Sequence, residues 1–187
     1  MQVRTAVLFS PALAARRALA VLVGAALVAA AAQVAVPLPG TPVPMTLQPL
    51  AVLLVGGLLG PRLGAASLLV YLALGAAGLP VFTPYGLPGA ARLVGPTGGY
   101  LLAYPVAAFA VGWLAGDARR WGRLVLALAC GLVLIHLGGA AQLLLLTGSA
   151  ASALRLGTVP FLVGDLGKLA IAVLVLKPTV MPLRARL

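Results

Sequence analysis

From Leu124 to Leu146 the chain runs without one Asp, Glu, Lys or Arg, and five further stretches come close to that bareness. A hydrocarbon core of roughly 30 Å takes about 20 apolar residues of helix, with a range of about 17 to 25. Six segments meet or approach this length: residues 13–36, 46–59, 63–79, 98–115, 124–146 and 160–176. The second is short for a full passage. The reading is an all-α membrane protein, a single integral-membrane domain of six transmembrane helices over residues 1–187.

Composition closes the alternatives. With 63% hydrophobic and 8% charged residues, the chain cannot coat a soluble domain with polar surface. Its net charge of +11 raises the possibility of a nucleic-acid partner, but such proteins gather their basic residues on a soluble face, and no such face exists here. Arg16 and Arg17 ahead of an apolar run also fit a signal peptide, yet that run is longer than a usual signal core and five equally apolar segments follow.

The cations sort by connection. With an even number of helices, both termini and the second-to-third and fourth-to-fifth connections share one side. That side holds Arg4, Arg16, Arg17, Arg62, Arg119, Arg120, Arg123, Lys177, Arg184 and Arg186, against only Arg92 and Arg155 on the other. Cytoplasmic loops carry the excess of Lys and Arg, so the expectation is a cell-membrane protein with both termini in the cytoplasm. The outer connections are long and rich in Pro and Gly: residues 37–45, 80–99 and 147–158 read as ordered turns over a binding site.

No GxxxxGK[ST] loop, HExxH, GxSxG elbow or carboxylate pair occurs, so no catalytic residue, metal site or resident cofactor is expected, and ATP hydrolysis would have to come from a partner. Cys130 and His136 are six residues apart on different faces of one helix, which disfavours a nucleophile pair. The exceptional residues are Asp165 and Lys168. A charge at the centre of a membrane helix costs about 2.5 to 3.5 kcal/mol on insertion scales, so such groups face a cavity or each other. At a spacing of three they share a face of the sixth helix. Two readings stand: an ion pair that pins the helix, or a polar pocket open to the outside.

Helices two, four and six begin on the outer side, and their free N–H groups favour an anionic or acceptor-rich ligand. Thr46 and Thr97 are candidate caps, and Gln48 and Tyr100 candidate rim residues. His136 and Gln142 read as bonds between helices. Ala14, Ala18, Ala25 and Ala29 form a small-residue pattern that would admit a neighbouring helix.

The ordered run of PVPMTLQ, GLLGPRLG, GLPVF and GPTGGY, closing with VPFLVGDLGKL at 159–169, resembles the BioY family, the biotin-binding S components of energy-coupling factor (ECF) transporters. The resemblance implies six helices that capture biotin from outside. It also implies a membrane-embedded coupling subunit and two ATPase subunits as partners. Carried onto matching positions, its ligand site falls on Thr46, Gln48, Gly98, Tyr100, Asp165 and Lys168, and its coupling face on the small residues of helix one. TPYGLPGAAR at 83–92 departs from the family's Gly-rich stretch, which puts the ligand contacts of Tyr85 and Arg92 in doubt. Pro49 likewise replaces a common Thr. The competing readings are an S component for another vitamin or small anion, a stand-alone secondary transporter, an intramembrane enzyme and a purely structural subunit.

Overall fold

The computed structural model of the chain describes residues 11–187, so Arg4 lies outside the described residues. Helix α1 spans Pro11–Gln33, and the chain then pairs a two-residue strand β1 (Ala35–Val36) antiparallel with β2 (Met45–Thr46). Helix α2 (Gln48–Ala76) follows, then a 3₁₀ turn over Gly89–Val94, α3 (Gly98–Ala115) and α4 (Trp121–Thr147). A short α5 (Ala150–Gly157), a 3₁₀ turn at Val159–Phe161 and α6 (Leu162–Arg184) complete the bundle.

The second and third expected spans are the two arms of α2. Gly60 breaks the helix with φ 80° and ψ −179°, a backbone state open to glycine, and Pro61 restarts it. A straight helix would set Gln48 and Tyr71 about 34 Å apart at 1.5 Å per residue. Instead Gln48 Nε2 donates to Tyr71 Oη at 2.7 Å, so the arms fold back on each other. Five helical segments are long and apolar enough to cross a membrane, and one of them is this doubled α2. The protein is a multi-pass membrane protein. Its first arm, residues 48–59, rises only about 18 Å.

Small residues let the bundle close. A Cβ on Gly56 would lie 2.5 Å from the Ala108 carbonyl, and one on Gly112 would lie 2.5 Å from the Gly60 backbone, so the α2 arms and α3 touch along their backbones. Two apolar clusters result. One includes Val28, Val52, Leu68, Tyr104, Ile135 and Phe161, while the other gathers Leu53, Val111, Leu128 and Leu176. Outward faces are also apolar: Leu145 is 82% and Val163 83% exposed, as expected of side chains that meet lipid.

At one end of the bundle the basic residues serve the helix termini. Arg184 donates from Nη1 to the Gly116 carbonyl at 2.5 Å and from Nη2 to the carbonyls of Gly57 (2.5 Å) and Gly112 (3.3 Å). Those carbonyls belong to helix ends that have no intrahelical partner left, where a cation is favoured. Lys177 donates to the carbonyls of Ala118 and Arg119, and Arg17 to that of Leu187.

Four local expectations change. Thr46 sits in β2 rather than at the helix cap, which is Leu47; its hydroxyl still accepts the Gln48 N–H at 3.2 Å. Thr97 holds the cap position of α3 but its side chain makes no capping bond. Residues 147–158, read as turns, contain α5, because Ser149 accepts the Ser152 N–H and starts a helix. The last helix begins at Leu162, two residues later than expected, and continues past 176 to Arg184.

Candidate ligand-binding site

Six polar or charged residues are buried among the described residues: Gln48, Ser67, Thr83, Arg92, Asp165 and Lys168. All but Ser67 line one cavity. It contains about 570 Å³ of space free of protein atoms, part of it continuous with the surroundings. Its apolar wall includes Phe82, Leu101, Ile135 and Phe161. An apolar-walled cavity with a few convergent polar groups has the general character of a ligand site.

Each side chain is placed by a different element. Asp165, in the first turn of α6, and Lys168, one turn on, form an ion pair of 2.8 Å between Oδ1 and Nζ. The other carboxylate oxygen, Oδ2, lies 2.7 Å from His136 Nε2 on α4. The His136 ring also approaches the Gly157 carbonyl through Nδ1 at 3.3 Å. Tyr100, on α3, donates its hydroxyl to that same carbonyl at 2.5 Å. The Tyr100 ring lies over Gly139 of α4, where a Cβ would run into it. Gln48 enters from the start of α2, its amide held by Tyr71 and its Oε1 accepting the Thr46 hydroxyl at 3.3 Å.

Arg92 comes from the 3₁₀ turn. Its guanidinium donates to the carbonyls of Leu87 (2.6 Å), Thr83 (2.9 Å) and Tyr85 and to the Thr83 hydroxyl (2.7 Å). Burial lowers its pKa from the ordinary value, with Tyr71 opposing; an arginine keeps its charge regardless. The structure thus gives Arg92 a defined task, folding the loop at 83–87 while its side chain edges the cavity.

Of the expected site residues, Thr46, Gln48, Tyr100, Arg92, Asp165 and Lys168 converge on this cavity. Two do not. Tyr85 is 48% exposed and lines a neighbouring pocket with Pro42, Gly86 and Pro96. Gly98 packs its Cα against the Leu93 backbone, with no room for a Cβ, and does not line the cavity. The small residues of α1 also divide: Ala14 and Ala18 are exposed, whereas Ala25 is buried in the chain's own core and Ala29 packs beside it. Of the expected small-residue face, only Ala14 and Ala18 in the first half of α1 are exposed.

His136, Thr83, Phe82 and Phe161 line the cavity without having been singled out for it. His136 does bond between helices as expected, but its partner is the Asp165 carboxylate. Gln142 bonds the carbonyls of Val94 and Gly95, which ties α4 to the loop before α3.

The BioY family model matches residues 3–185. The chain belongs to the BioY family. It is 42% identical over 131 residues to a probable biotin transporter BioY of Pyrococcus horikoshii, covering 70% of this chain and 76% of that one. The biotin transporter BioY of Thermotoga maritima is 38% identical over 130 residues, with the same coverage of 70% and 76%. Among solved structures, the S-component for biotin from an ECF-type ABC transporter superposes with a TM-score of 0.81 at 28% identity, over 91% of this chain and 93% of that one. In this BioY protein the cavity therefore sits in a shared architecture, formed between the first turns of α2, α3 and α6.

Proposed function

We infer that this chain is the biotin-binding S component of an ECF importer, not an enzyme. The observation that carries the reading is the collection of buried Gln48, Thr83, Arg92, Asp165 and Lys168 around one apolar-walled cavity in a BioY fold. Biotin presents a ureido ring with two N–H donors beside a carbonyl acceptor, an apolar sulfur ring and a carboxylate on an aliphatic chain. Asp165 and Lys168 are in direct contact, so they meet one polar end of a ligand together. The ureido group matches them: its N–H groups donate to the carboxylate and its carbonyl accepts from the ammonium. Phe82, Leu101 and Phe161 supply the wall for the sulfur ring and chain.

The basic end of the bundle faces the cytoplasm in this reading, which puts both termini there and opens the cavity outward. The chain supplies recognition, and a membrane-embedded coupling subunit with two ATPase subunits supplies the work of transport. The exposed side of α1, with Ala14 and Ala18, is the face offered to the coupling subunit. Uptake of labelled biotin into vesicles tests the assignment: accumulation should require the ATPase partners and resist collapse of the ion gradients. Gradient-driven uptake by the chain alone would identify a secondary transporter instead.

A further inference from the structure

His136 is the chain's only histidine, and both of its ring nitrogens face groups that accept hydrogen bonds. Oδ2 of Asp165 lies 2.7 Å from Nε2. The Gly157 carbonyl, which has no proton to give, lies 3.3 Å from Nδ1. A neutral imidazole has one N–H and one lone pair, so in either tautomer it would turn a lone pair towards an oxygen. With Asp165 ionised and paired to Lys168, only the doubly protonated ring satisfies both contacts. Around the ring, Asp165 of α6 is in direct contact, and Phe161 and Tyr100 flank it at centroid distances of 6.4 and 6.3 Å. The other charged or titratable groups on the cavity wall are Lys168 of α6, Tyr104 of α3 and Arg92 of the 3₁₀ turn. Lys168 bonds the opposite carboxylate oxygen, leaving Oδ2 to the histidine.

We propose that His136 is a positioning residue for ligand capture that works as an imidazolium, donating one proton to Asp165 and the other to Gly157. Held by Lys168 on one oxygen and His136 on the other, the carboxylate cannot rotate, and its remaining lone pairs point in fixed directions. The second N–H extends the chain of bonds to the end of α5, where Tyr100 joins it. Lys168, Asp165, His136, Gly157 and Tyr100 thus link α6, α4, α5 and α3 around the cavity. Loss of the proton cuts this chain at Asp165 or at Gly157. Ligand affinity therefore depends on His136 carrying both protons.

The direct test needs no ligand. In protein labelled with ¹⁵N at histidine and held in detergent, the single imidazole should show two protonated ring nitrogens at neutral pH, and an unprotonated ring nitrogen there overturns the proposal. The functional arm rests on the biotin reading. Wild-type affinity for biotin should fall by about tenfold or more in step with the deprotonation reported by the resonance, the scale of a lost charge-assisted hydrogen bond. His136→Gln, which keeps a donor but no titrating charge, should bind about tenfold more weakly and lose that pH dependence. A His136→Gln protein with wild-type affinity and an unchanged pH profile contradicts the proposal. Absence of biotin binding by the wild type at every pH counts against the ligand assignment alone, since the resonance still reports the state of His136.

Discussion

Lys168 Nζ and Asp165 Oδ1 meet at 2.8 Å on one face of α6, inside the bundle and on the wall of the cavity that Gln48 and Tyr100 also line. The pair lies within one helix and lines the cavity, and its carboxylate also ties that helix into the bundle. The link to a neighbouring helix is made by His136.

Replacing Lys168 by Met leaves Asp165 with His136 as its single cationic partner. Breaking a buried pair from one side costs about 3–5 kcal/mol where the remaining charge has no other partner, and His136 reduces that loss. The variant should insert and fold, with biotin affinity lower by about a hundredfold. Titration calorimetry in detergent, alongside thermal unfolding, separates the two effects; unchanged affinity would remove Lys168 from the site.

Gly139 forms the seat of the Tyr100 ring. Gly139→Val should destabilise the protein by about 1–3 kcal/mol, the scale of an overpacked core, and weaken ligand binding by displacing Tyr100. Adding Tyr100→Leu should recover part of the stability and none of the binding. Thermal melts of the two single variants and the double variant check this, and simple additivity would show that the two residues do not press on each other.

Arg184 holds three helix-end carbonyls at the end of the bundle away from the cavity. Arg184→Met should lower stability by about 1–3 kcal/mol, because the carbonyls lose their donors, while biotin affinity stays within about twofold of wild type. Lysine should rescue only partly, since an ammonium cannot reproduce the planar fork. Denaturation in detergent together with calorimetry reads both quantities.

Arg92 folds the loop at 83–87 through four acceptors. Arg92→Ala should raise hydrogen exchange across residues 83–95 by about tenfold or more while the helices keep their protection. Uniform protection before and after the substitution would show that the loop is held by other contacts.

The sequence makes some of this legible. Hydropathy marks all six passages, and the Gly60-Pro61 pair marks the reversal between the second and third, because these are local properties. Asp165 and Lys168 stand out because burying charge is costly wherever the neighbours lie. His136 reads as a bond between helices but its place on the cavity does not show, since its partner is 29 residues away and their meeting depends on how α4 and α6 pack. Arg184 is similarly hidden: counted as one more basic residue of the inner side, it is in fact half-buried among helix ends. The helix in residues 147–158 had a local sign, Ser149 ahead of an Ala and Leu stretch, that the density of small residues obscured. Ala25 shows the limit of spacing as evidence, because a four-residue repeat of alanine gives no account of which side of the helix the rest of the chain occupies.

The central claim is that this cavity binds biotin through Asp165, and titration of the purified wild-type chain and its Asp165→Asn variant with biotin tests it most directly. Nanomolar binding by the wild type, weakened by about a hundredfold or more in a variant that remains folded, is the predicted result. No binding by the wild type at micromolar biotin, or equal binding by both proteins, would contradict it.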